Sequence, residues 1–166
     1  MLARISALCI PSAIPWTLIT INIISIALGT LATEKILKQN GKNPWYALVY
    51  GLFAGMLLSL RLDLTEPLAF ALAQWGVWYF IRNRPGLSGL LLALAILTRE
   101  LAILFAAACA ISLFLRGERI KGFLWGAAVV LPFAAWQVFL RVWLGDWGIG
   151  SGGAMATAFE IIPFHG

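Results

Sequence analysis

Residues 86–116 read GLSGLLLALAILTRELAILFAAACAISLFLR, an apolar run with Arg99 and Glu100 near its middle. As one helix the run would be about 46 Å long at 1.5 Å per residue. A bilayer core is about 30 Å thick. The run is therefore too long for one span and slightly short for two. Its flanks decide the reading. Before it stand Arg82 and Arg84, and after it comes RGERIK at 116–121. Basic loops collect on the cytoplasmic side of a membrane. If both flanks are cytoplasmic, the run between them crosses an even number of times. The expectation is a hairpin of two short helices, 86–97 and 101–116, with the turn LTRE at 97–100 on the outer side. A single tilted helix would instead leave Arg99 in hydrocarbon, at a cost of roughly 3 kcal/mol or more.

Working outward, the same logic orders the rest of the chain. An apolar segment at 16–34 ends in EKILKQNGKN, which carries Lys35, Lys38 and Lys42. Asn43 and Pro44 then form a helix start, a capping side chain followed by a proline in the first turn. The next segment, 44–62, contains Gly51 and Gly55, a GxxxG spacing that allows close helix packing in lipid. RLDLTEP follows, with Thr65 placed to cap a helix over 66–82 and Glu66 suited to its positive end. A last segment covers 122–144, with Pro132 expected to kink it. Residues 145–166 are read as a glycine-rich outer loop. Eight basic residues then fall inside (Lys35, Lys38, Lys42, Arg82, Arg84, Arg116, Arg119 and Lys121) and four outside (Arg4, Arg61, Arg99 and Arg141).

Composition agrees. The 166 residues are 61% hydrophobic and 11% charged, against about 45–50% and about 25% in a soluble domain. The fold class is all-α: a polytopic membrane helix bundle of about six membrane helices in a single transmembrane domain. Most of the eight Trp fall near segment ends, as an aromatic belt requires. The net charge of +5 does not indicate nucleic acid, because the cations separate apolar runs and form no basic stripe. Cys9 and Cys109 form no CxxC pair, and His165 is the only histidine, so neither a disulfide framework nor a His/Cys metal site is expected. The start has one Arg and a short apolar stretch broken by Pro11 and Pro15, a poor signal-peptide pattern.

The helices at 66–82, 86–97 and 101–116 are short. With their inner ends at the cytoplasmic surface, their outer ends lie below the outer surface. Asp63, Glu66, Arg99 and Glu100 would then floor a recess open to the outside, where irregular backbone is tolerated because water fills it.

RLDLTEPLAFALA followed, about twenty residues later, by LALAILTRE resembles the GT-C superfamily of integral-membrane glycosyltransferases, nearest to bacterial mannosyltransferase-like proteins. In these a TEP-like turn opens one membrane helix and an LTRE turn closes a later one. ITINIISIALGTLATEKIL resembles the family helix with a central Asn, here Asn22, and GIGSGG with IIPFHG resembles the outer loop before further helices. The resemblance implies transfer of a sugar from a polyprenyl-phosphate carrier to an acceptor hydroxyl on the outer face of a bacterial plasma membrane. Arg99 would contact the carrier phosphate, where a permanently charged, bidentate donor is suited. Asp63 and Glu66 would hold a divalent metal, orient Arg99 or bind acceptor hydroxyls, and Glu100 would cap the returning helix or join them. No other cofactor is implied. The family's catalytic acid normally precedes the helix matched here by 16–34, and residues 1–15 contain no Asp or Glu. That departure, with the family's later helices missing, implies the interior of a longer enzyme or a truncated reading frame.

Plainer readings stand beside these. Arg99 and Glu100 also suit a snorkelling hairpin corner, Asp63 and Glu66 an interfacial loop and helix cap, and Asn22 an interhelical hydrogen bond. Two other function classes compete. A transporter module would use short re-entrant hairpins, but the two halves show no matching repeats. A non-catalytic assembly subunit, with other membrane proteins as partners, would use the GxxxG spacing and account for the missing first loop.

Overall fold

The computed structural model describes residues 14–61, 65–145 and 147–148, which form helices and turns and no strands. In order these are α1 (Ile14–Gln39), a 3-10 turn (Pro44–Tyr46), α2 (Ala47–Gly51), α3 (Ala54–Arg61), α4 (Glu66–Ile81) and α5 (Pro85–Thr98). A second 3-10 turn (Glu100–Ala102), α6 (Ile103–Leu115) and α7 (Arg119–Leu144) follow. Two helices are long and apolar enough to cross a membrane, Trp16–Gln39 and Arg119–Leu144. Only 22% and 11% of their apolar windows are buried within the chain. Pro85–Thr98 and Glu100–Leu115 are shorter apolar helices.

The run at 86–116 divides where its charges predict. Arg99 is extended, with φ −150° and ψ 121°, and a 3-10 turn leads into α6. The first segment continues past 34 because its polar end is itself helical. Glu34 pairs with Lys38 one turn on, and the Asn40 amide donates to the Ile36 carbonyl. Asn43 caps as expected, its side chain accepting from the Trp45 N–H at 3.0 Å. Thr65 does not: it occupies the cap position of α4, but its hydroxyl makes no cap bond, and the first turn is closed by Ala69 N–H to the Thr65 carbonyl. Pro132 lies inside α7.

The segment 44–62 departs most from its expectation. It is not one helix but a 3-10 turn and two short helices, broken at Leu52 and Phe53. Gly51 and Gly55 therefore do not share a continuous GxxxG face. A Cβ on Gly51 would meet the Thr30 hydroxyl of α1, and one on Gly55 would meet the Phe53 ring. The glycine weakens the helix where it is needed least, and the chain turns there.

Contacts divide the chain into two compact units, 1–133 and 134–166, with the division inside α7. In the first unit α4 is central, packing extensively against α1 and α5. The buried positions are mostly small: Asn22, Ser25 and Ala32 on α1, Ala69, Ala73 and Gly76 on α4, and Ser88 and Ala95 on α5. Small residues let backbones approach, as in lipid, where burying bulky apolar side chains gains little. Leu92 and Ile96 fill the seam, and Gly76 is its tightest point: a Cβ there would stand 2.7 Å from Leu92 Cγ. Large apolar side chains such as Ile23, Leu90, Leu104 and Phe123 face outward. In the second unit Trp136, Phe139 and Trp143 stack in sequence along α7. The Arg141 guanidinium donates to the Gly145 carbonyl and lies over the Trp147 ring.

Candidate functional site

Three helices of the first unit stop in the same way. Gly41, Asn83 and Gly117 take positive φ (66°, 55° and 85°) after α1, α4 and α6. At each stop the next residue's N–H reaches back five residues: Lys42 to Leu37, Arg84 to Tyr79 and Glu118 to Leu113. The residue with positive φ donates three residues back. This is the Schellman arrangement, which satisfies orphan carbonyls at a helix end. These are the three basic turns, and packing brings them to one end of the unit. Lys35 from α1 and Arg82 from α4 both lie 5.5 Å from the Trp78 ring centre. Arg116, after α6, lies 6.0 Å from the ring of Phe80, two residues on from Trp78.

At the other end of α4 and α5 stands an ion pair. Glu66 is the first residue of α4 and Arg99 follows the last residue of α5. Arg99 Nη2 lies 2.9 Å from Glu66 Oε1. The carboxylate meets the positive end of one helix dipole and the guanidinium the negative end of another. Side-chain exposure is 17% for Glu66 and 39% for Arg99, so the pair is half sheltered. Glu66 Oε2 and Arg99 Nε are buried and make no hydrogen bond among the described residues. One turn inward from Glu66, Phe70 meets Phe105 of α6 edge to face at 6.0 Å. The pair thus carries one carboxylate oxygen and the guanidinium Nε buried and unbonded, and the rest of the Arg99 side chain is partly exposed.

Of the four residues expected to share a recess, Glu66 and Arg99 are brought together. Glu100 is exposed in the first turn of the 3-10 segment and forms no ion pair among the described residues. The fork of Arg99 turns to Glu66 rather than to its sequence neighbour. Asp63 lies outside the described residues. Among the described residues no group of three His, Cys, Asp or Glu could hold a metal ion. Asn22 is buried on α1, facing the packed interior. Trp75 donates its indole N–H to the Leu28 carbonyl at 3.0 Å, which ties α4 to α1.

Cavities occur where no recess was expected. One of about 560 Å³ lies at the basic end, between the stops of α4 and α6 and the start of α7. An adjoining groove of about 360 Å³ runs along α5 and α7. Trp125 and Pro85 line both, and the Trp125 N–H donates to the Pro85 carbonyl at 3.0 Å. A Trp in the second turn of a helix that starts RGERIK was the available signal.

No family model matches the chain, and no curated protein or solved structure is similar to it at a significant level.

Proposed function

We propose that the chain is the membrane-embedded portion of a glycosyltransferase that uses a polyprenyl-phosphate-linked sugar, with Arg99 as its phosphate-binding residue. In this reading α1, the 44–61 segment, α4, α5, α6 and α7 are six membrane elements, the three basic turns are cytoplasmic and the Glu66–Arg99 end faces outward. The observation that carries it is the Arg99 side chain. One guanidinium nitrogen is engaged by Glu66, while Nε is sheltered and unbonded. A guanidinium held from one side and still partly exposed is fixed in orientation, as recognition of a phosphate by its accessible N–H groups requires. Glu66 then acts as a positioning residue. The resemblance of the TEP and LTRE turns to the GT-C pattern adds the donor class.

The experiment is transfer of labelled sugar from a polyprenyl-phosphate donor by membranes holding the protein within its full reading frame. Arg99→Ala is expected to abolish transfer with insertion unchanged. Arg99→Lys, which keeps the charge and loses the fork, is expected to retain a small fraction. Wild-type transfer rates in Arg99→Ala would overturn the assignment.

A second reading rests on the same pair. Glu66 and Arg99 each stand where a helix dipole favours their charge, so the pair also suits a purely structural clip. Under that reading both variants lose stability and neither discriminates by donor binding.

A further inference from the structure

The cavity at the basic end has a mixed lining. Arg116, Lys121, Glu118 and Asn83 supply its polar groups, and Phe80, Leu113 and Trp125 its apolar ones. Glu118 is bonded to Lys121 at 2.8 Å, and Arg116 lies over the Phe80 ring. Two cations therefore face one carboxylate, and the lining carries a net positive charge. Behind Trp125 the groove passes Gly86, where a Cβ would meet nothing within 4 Å, and Gly89, where it would meet Val129 at 3.3 Å. Trp125 is fixed by its bond to Pro85 and by the Phe80 ring 5.3 Å away, so it stands as a firm wall between cavity and groove.

We propose that this cavity binds the phosphate headgroup of an anionic membrane phospholipid, with Arg116 and Lys121 on the phosphate and an acyl chain against the α5–α7 groove. The proposal rests on the membrane reading above but not on glycosyl transfer. Charge selects the occupant. A phosphodiester with no cation beside it gains from both basic residues, whereas a choline headgroup brings its own positive charge against them. Basic pockets between membrane helices on the cytoplasmic side take such headgroups. The apolar walls favour a lipid over a soluble phosphate, because a soluble anion would leave Phe80, Leu113 and the groove uncovered. Glu118 acts as a built-in competitor: it occupies Lys121 when the lipid is absent and must release it when the lipid binds.

The test is native mass spectrometry of the full chain, purified in detergent and offered equal phosphatidylglycerol and phosphatidylcholine. Wild-type protein is expected to retain phosphatidylglycerol in preference. Arg116→Gln and Lys121→Gln should each weaken that preference about fivefold, the scale of one cation near an anionic lipid. Glu118→Gln should strengthen it. Arg119→Gln removes a charge from the same turn but not from the cavity, and should leave it unchanged. Equal retention of the two lipids, or a loss with Arg119→Gln as large as with Arg116→Gln, would overturn the site. Displacement of the lipid by millimolar inorganic phosphate would overturn it in favour of a soluble anion. A carbonate wash of the membranes separates the two claims, since extraction of the wild-type chain removes the membrane reading itself.

Discussion

The two ends of the first unit carry cations in opposite ways. At the basic end, Lys35, Arg82 and Arg116 lie over aromatic faces beside exposed turns, and each turn carries the same pair of backbone bonds. At the other end, Arg99 meets a carboxylate, and the pair is half sheltered. Cations over rings at an exposed end keep most of their hydration, and each contact contributes about 0.5–1 kcal/mol. A sheltered ion pair gives up hydration and leaves any unbonded atom costly. One end is therefore tolerant of substitution and the other is not. A charge kept in a costly place, with Arg99 Nε and Glu66 Oε2 unbonded, is where function is best sought.

The most severe test of this comparison is all-or-none. With Cys9 and Cys109 replaced, a single cysteine at Lys42 or Arg119 should react with an impermeant thiol reagent only after the inner membrane is broken. A cysteine at Leu101 should react without breakage. Reaction of all three under one condition would dissolve the distinction between the ends. Next in size is the seam that joins them. Gly76→Val should push Leu92 out of place and lower stability by about 1–3 kcal/mol, read from loss of helicity in an SDS titration of micellar protein. A double-mutant cycle then compares charges directly. Coupling between Glu66 and Arg99 should be about 1 kcal/mol, while the more exposed Glu34–Lys38 pair should give no more than about 0.5. Equal couplings would mean that shelter does not matter here. The smallest effect concerns Glu118, whose carboxyl is held below its ordinary range first by its hydrogen bond to Lys121 and then by that residue's charge. A lowered folded pKa adds stability above the unfolded value and loses it as pH falls through the folded one. Glu118 is fully exposed, so Glu118→Gln should leave the SDS midpoint unmoved at neutral pH and in acid alike.

Much of this was legible in the sequence, for reasons that differ by element. Helices stopped by Gly41 and Gly117 were marked by glycine and basic residues, and the break at Arg99 followed from charge placement on either side of an apolar run. Asn83 served as a third stop without a glycine, because asparagine tolerates positive φ better than most residues. The break inside 44–61 was hidden. Gly51 and Gly55 have the same spacing whether a helix packs through them or ends between them, and only the approach of Thr30 decides it. The pairing of Arg99 with Glu66 was suggested by the turns, but the exclusion of Glu100 was not, since adjacent residues differ in direction and not in charge. The basic cavity was missed because its lining comes from α4, α6 and α7, whose convergence no local pattern encodes.

The three Schellman stops have a wider consequence. Each ends its helix through backbone carbonyls and one residue of positive φ, without using the lysines and arginines around it. The shape of the bundle and its orientation in a bilayer are thus written in separate residues. Moving the basic residues to the opposite loops would alter how the chain is delivered to the membrane while leaving every helix stop intact. An inverted copy would be reached by charge changes alone, each costing no more than the ring contact's about 0.5–1 kcal/mol, a route by which dual-topology membrane proteins arise from a fold of this kind.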